Sequence, residues 1–285
     1  MNTQRRFAYW LTLPVTVALL ALLLYPLLYA AWLSFVELVP RSAPAFAGVA
    51  NYARVVGSEV FRIALVNTAF FTVASTALSF LLGLSLALAM LNLRRAVRML
   101  VTLAILPLAV MPVVSGLTWG MMLNPSLGVV NGLLRSWGIA GPGWATSPDL
   151  ALLTIVLIDV WQWTPFCFLI LYAGLQALPG EPLEAARIDG ANGWQRLLHV
   201  TLPMLRPIIA ITLIFRFMEA FRAFDVFYTV TKGGPGRASE TLILRAFLET
   251  FTFFNPSSAA VYGIIMLVIT ILLARPAARL LARRD

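Results

Sequence analysis

Four ionisable side chains recur at every third position through an otherwise apolar and aromatic stretch: Arg216, Glu219, Arg222 and Asp225, set among Phe215, Phe217, Phe221, Phe224, Phe227 and Tyr228. On a helix this spacing brings successive charges near one another along one slowly drifting stripe. The chemistry on offer is recognition rather than bond making. Guanidinium and carboxylate groups can hold hydroxyls while aromatic faces cover the apolar side of a sugar ring, the mixture expected of a small-molecule site. A second polar and aromatic group, Asp159, Trp161, Gln162 and Trp163, lies upstream, and Asn67, Thr68 and Trp119 are further candidates to line the same cavity. Each of these also fits a helix–helix hydrogen bond or an interfacial anchor. Catalysis is not indicated. The apolar segments hold no His/Cys/Asp cluster, no nucleophile–base pair and no set of metal ligands, and the chain has no GxxxxGK[ST] phosphate loop with which to hydrolyse ATP. His199 reads as a polar helix position and Cys167 as a small buried hydrophobe.

A different kind of polar stretch runs from Glu181 to Pro207, EPLEAARIDGANGWQRLLHVTLPMLRP. Pro182 suits a helix start, and Glu181 and Glu184 complement the dipole of a first turn. The pattern predicts one short helix over Pro182–Asp189, ended by Gly190, and a second over Asn192–Thr201, stopped by Leu202-Pro203. Trp194, Leu197, Leu198 and Val200 are the packing positions of the second helix, with Arg196 towards water. An interfacial helix lying on lipid is normally basic. Glu181, Glu184 and Asp189 argue instead for a knob that meets another protein.

These groups need a scaffold, and composition says which kind. Of 285 residues, 60% are hydrophobic and 12% charged, with mean hydropathy +0.88, whereas soluble domains carry about a quarter charged residues. An all-α polytopic membrane protein follows, a single domain over 1–285 with six spans of about 9–35, 63–91, 99–123, 150–178, 205–230 and 257–276 and the polar knob at 181–203. Pro14 and Pro26 are tolerable inside the first span, which is too long and uncharged for a cleaved leader core. Pro107 and Pro112 should kink or interrupt the third. The net charge of +9 does not indicate nucleic acid, because the basic residues cluster at span ends: Arg5 and Arg6; Arg94, Arg95 and Arg98; Arg275, Arg279, Arg283 and Arg284. With both termini cytoplasmic, twelve Lys or Arg fall on the cytoplasmic side and seven outside, as the positive-inside bias requires. The external segment Asn124–Asp149, rich in Gly, Pro, Ser and Trp, reads as folded turns.

Glu184-Ala185-Ala186, Asp189-Gly190-Ala191, Leu202-Pro203 and Pro207 stand at the spacing of the EAA loop, and here the chain closely resembles the permeases of binding-protein-dependent ABC importers. Phe224-Asp225 followed by Thr231-Lys232-Gly233-Gly234-Pro235, Asn51-Tyr52, and Trp161 with Pro165-Phe166 resemble the MalF-like carbohydrate permeases, in a compact six-span form without a large external insertion. The resemblance implies the type I importer permease fold, with a cytoplasmic two-helix coupling loop that docks on an ATPase. Glu184 would meet a basic group there and Gly190 would supply the turn. It further implies a second homologous permease, two ATPase subunits that bind ATP and Mg in place of any cofactor in this chain, an extracytoplasmic solute-binding protein, and the inner membrane of a prokaryote. The solute would be a di- or oligosaccharide of trehalose or maltose type. Glycerol phosphate or its diesters are the alternative; an ion-coupled secondary transporter and a membrane enzyme are the rivals from other classes.

Overall fold

An apolar chain that must leave no backbone N–H or C=O unpaired in lipid folds into helices, and the computed structural model, which describes residues 2–38, 43–91 and 97–282, is helical almost throughout. In chain order the elements are α1 (Asn2–Ser34), an antiparallel pair of two-residue strands, β1 (Val36–Glu37) and β2 (Ala45–Phe46), α2 (Ala50–Val56), α3 (Glu59–Leu91), α4 (Val97–Ile105) and α5 (Pro112–Met122). There follow α6 (Val129–Ser136), α7 (Pro148–Gln176), α8 (Gly180–Ile188), α9 (Gly193–Arg196), α10 (Leu202–Phe221), α11 (Asp225–Val230), α12 (Leu242–Phe251) and α13 (Pro256–Ala282). Among the described residues, five stretches are long and apolar enough to cross a membrane: Leu11–Ser34, Glu59–Leu91, Pro148–Gln176, Gly193–Val230 and Pro256–Arg275. Met99–Ala109 and Pro112–Met122 reach that length and apolarity only together, bent by 93° at the break between them. The basic residues Arg94, Arg95, Arg283 and Arg284 lie outside the described residues.

Contacts divide the chain into two units. The first comprises the residues up to Arg62 together with Arg245–Ile269. Its organiser is Asn51, buried, whose Nδ2 donates to the carbonyls of Ser34 (3.1 Å) and Val36 (3.0 Å) and so closes the open end of α1. The Tyr52 hydroxyl meets Ser34 Oγ at 2.7 Å, which gives the Asn51-Tyr52 pair a structural meaning. None of the most apolar part of α1 is buried.

The second unit comprises Ile63–Leu244 with the residues from Thr270 onward, and α7 runs through it with 61% of its apolar window buried. Its core is Ala87, Met90, Cys167, Phe168, Leu171, Leu175 and Leu205. A Cβ on Gly83 would lie 2.7 Å from Cys167 Cβ and 2.8 Å from Phe168 N, so this glycine sets the close approach of α3 to α7, as small residues do between membrane helices. Cys167 is indeed a buried free thiol packed as a hydrophobe. The Asn124–Asp149 segment is folded around Asn131. Its amide donates to Pro142 O (3.1 Å) and accepts from Trp144 Nε1 (2.6 Å).

Candidate functional site

Two membrane-length segments of the second unit lose their helical path, and both do so at the same place. Between α4 and α5, Val110 and Met111 are extended (ψ 130° and 137°), because the residue before a proline is driven from the helical region and Pro112 then starts α5. The freed Val110 carbonyl is capped by Gln162 Nε2 of α7 at 2.7 Å. The second break follows Phe221. Arg222 leaves the helix (φ −108°, ψ 17°), and α11 restarts at Asp225. The predicted span over 205–230 is present within Gly193–Val230, its helix interrupted between Phe221 and Asp225. Helix α11 packs on α5. The breaks enclose a hollow of about 150 Å³ whose polar wall is Asp159, Gln162, Glu219, Arg222 and Asp225, with Trp163, Phe224 and Pro112 as its apolar wall. Non-helical backbone at membrane depth is tolerated where it is buried in protein or lines a cavity.

The charges of the stripe are only partly paired with one another. Arg216 is fully buried and pairs across helices with Asp159 of α7, at side-chain exposures of 0% and 3%. Its Nε approaches Ser79 Oγ at 3.3 Å, and its guanidinium lies 5.6 Å from the Trp163 ring centre, a cation–π contact. Glu219 is left to Arg222 alone. A lone carboxylate in the fourth span was the available signal for this pair, since an ionised group in lipid must find an opposite charge.

Of the sequence-predicted lining residues, the structure brings together Asp159, Gln162, Trp163, Glu219, Arg222 and Asp225. Phe221, Trp119 with Trp161, and Asn67 with Thr68 fall elsewhere. Phe221 is buried, and Trp119 packs edge-to-face on Trp161 at 5.4 Å. Asn67 clamps the turn after α11, donating to the carbonyls of Arg237 (3.1 Å) and Glu240 (3.0 Å). Its neighbour Thr68 accepts from Leu242 N at 2.9 Å. Both ends of that turn are backbone with no strand partner, so α3 side chains satisfy it. Among the described residues no group of three or more His, Cys, Asp or Glu could hold a metal.

The polar knob is built by two complementary caps. At the end of α8, Ala191 N donates to Ala186 O (3.0 Å) and Gly190 N to Arg187 O (3.2 Å), with Gly190 at φ +78°. This is the Schellman arrangement that a left-handed glycine permits. Asn192 then starts α9 with a full capping box: Gln195 N donates to Asn192 Oδ1 and Asn192 N to Gln195 Oε1, each at 2.9 Å. The chain thus stops one helix and starts another within a few residues. Two expectations for the second helix are corrected. It does not stop at Leu202-Pro203. A π turn over Leu197–Thr201, closed by Leu202 N to Leu197 O, widens the helix ahead of Pro203, and the chain continues into α10. The widened turn accommodates a ring that lacks an N–H. Nor do all the apolar positions pack inward, for Trp194 is 67% exposed, Ile188 on α8 is 86% exposed and Leu198 is also exposed. Glu184, Ala185, Asp189 and Gly190 are exposed as well. Glu184, Arg187 and Arg196 edge a second hollow of about 490 Å³ floored by Leu88, Leu175 and Leu183.

Comparison with known proteins gives a consistent result. The model of the family described as "Binding-protein-dependent transport system inner membrane component" matches residues 79–284. The trehalose/maltose transport system permease protein MalF of Thermococcus litoralis is 36% identical over 247 residues, 86% of this chain and 83% of that protein. The sn-glycerol-3-phosphate transport system permease protein UgpA of Agrobacterium fabrum is 36% identical over 231 residues, 80% and 78% of the two chains. In fold the chain matches a crystal structure of a bacterial ABC transporter involved in import of the acidic polysaccharide alginate, with TM-score 0.82, 21% identity and coverage of 98% and 97%.

Proposed function

We propose, for a chain that belongs to the family of binding-protein-dependent transport system inner membrane components, that it is the permease subunit of an ABC importer for a sugar, of the di- or oligosaccharide class that includes trehalose and maltose. The observation that carries this reading is the meeting of two interrupted spans at one polar and aromatic hollow. Discontinuous helices near mid-membrane are where transporters build solute sites. The hollow has room for only a few waters, so it is one half of a pathway that a second, homologous permease completes. The glycerol-phosphate reading rests on the 36% identity to UgpA. Only the sugar reading also uses the aromatic wall.

The chain lies in the inner membrane with both termini cytoplasmic. The Glu181–Pro203 knob then faces the cytoplasm, where two ATPase subunits bind ATP and Mg, and an extracytoplasmic binding protein delivers solute from the other side. The exposed Trp194 and Ile188 anchor the docking, since interface centres are aromatic and apolar. Glu184 meets a basic group of the ATPase. Because α9, the π turn and α10 run on without a stop from the knob to Phe221, the 20 residues of α10 alone reach about 30 Å. Closure of the ATPases therefore moves the wall of the hollow as a rigid lever, a hinge-type switch between outward and inward access.

Co-purification tests the assembly. An ATPase should co-isolate with this chain and be lost on Glu184→Arg, and proteoliposomes holding the whole complex should take up labelled trehalose or maltose only with ATP. Uptake driven by an ion gradient through this chain alone would overturn the proposal in favour of a secondary carrier.

A further inference from the structure

Resting on the reading of the hollow as the solute pathway, we infer that this chain electrostatically excludes anionic solutes and that Asp225 is the residue responsible. Four ionisable groups line the hollow: Asp159, Glu219, Arg222 and Asp225. Asp159 is already neutralised by the buried Arg216, and Glu219 by Arg222. The Asp225 carboxylate makes no ion pair or side-chain hydrogen bond among the described residues. The wall therefore carries one uncompensated negative charge, at the start of α11 where the chain is interrupted. In a partly desolvated cleft such a charge acts over several ångströms with little screening. A phosphate, sulfonate or uronate would meet net repulsion, since Arg222 can receive it only by giving up Glu219. A neutral sugar meets hydroxyl acceptors and the Trp163 and Phe224 rings instead. Similarity extends to permeases whose names specify both neutral and anionic solutes, so the charge balance of this wall distinguishes between them.

The test measures the charge of the hollow without needing the solute. Ala223→Cys, in the same wall, is built into the assembled importer on a Cys167→Ala background and treated in membrane vesicles with two methanethiosulfonates, one carrying trimethylammonium and one sulfonate. Rates are normalised to those on free 2-mercaptoethanol. The cation should outrun the anion about tenfold, equivalent to about 1.4 kcal/mol. Asp225→Asn should bring the ratio to within about threefold of unity, while Asp225→Glu should keep it. Equal rates, a faster anion, or a ratio that Asp225→Asn does not move overturns the filter and leaves the pathway intact. No reaction even with neutral methyl methanethiosulfonate overturns the pathway reading and the filter together.

Discussion

Two arginine–carboxylate pairs flank the same hollow and have opposite surroundings. Arg216–Asp159 joins two helices at exposures of 0% and 3%, whereas Arg222–Glu219 lies within one chain turn at 59% and 35%. The chemistry of the partners is the same, so location decides their roles. A buried pair repays its desolvation only while both members are present. It therefore fixes α10 against α7 and cannot change state cheaply. The outer pair is held weakly, as exposed pairs are, and its members remain free to exchange one partner for another. One pair belongs to the scaffold and the other to the working surface.

The sharpest way to break this contrast is Asp159→Ala, which strands a guanidinium in the core. We expect a loss of about 3–5 kcal/mol, read as loss of folded complex by size-exclusion and thermal unfolding in detergent. The double variant Asp159→Leu with Arg216→Met should recover most of it, because an apolar pair of similar volume is close to neutral or better. If the single variant is as stable as the parent, the pair is not a structural tie.

The sequence made some of this legible and hid the rest for identifiable reasons. The helices, the knob and the glycine at its turn follow from apolar run length and from local caps, whose partners lie within a few residues: Gly190, Asn192 and Gln195 are all in one short stretch. The Arg216–Asp159 tie joins residues 57 positions apart, and no spacing rule reaches that far. Three-residue spacing keeps Arg216 and Glu219 on one stripe of one helix, but it cannot show that Arg216 pairs with a carboxylate of another helix while Glu219 pairs with Arg222. Asn67 and Trp119 were hidden for a related reason. A polar or aromatic side chain in a span reads the same whether it holds a loop, packs on another ring or faces a solute.

Gln162→Leu tests the boundary between scaffold and working surface. Its amide caps the Val110 carbonyl at the first helix break, and leaving that acceptor unpaired should cost about 1–3 kcal/mol. The effect should be smaller than that of Asp159→Ala and should coincide with a change in uptake, because the same side chain lines the hollow. A stability loss with transport fully retained would move Gln162 entirely to the scaffold.

On the knob, Asn192→Ala removes the acceptor of the capping box and should cost about 1 kcal/mol, felt as weaker ATPase co-isolation with the hollow untouched. Reagent access at Ala223→Cys should be unchanged. If that access changes with the cap alone, the knob and the hollow are coupled even at rest.

The smallest expected stability effect belongs to Arg222→Ala. The pair is exposed, so the loss should be within about 1 kcal/mol and the complex should assemble at parental yield. Transport should nonetheless fall at least tenfold, because the variant frees Glu219 beside Asp225 and removes the one cation on the wall of the hollow. Arg222→Lys keeps the charge without the planar fork. Partial recovery with lysine would assign the defect to charge, and no recovery would assign it to bidentate contact. The outcome that would sink the contrast is a variant that fails to assemble, since Arg222 would then belong with Arg216 to the scaffold.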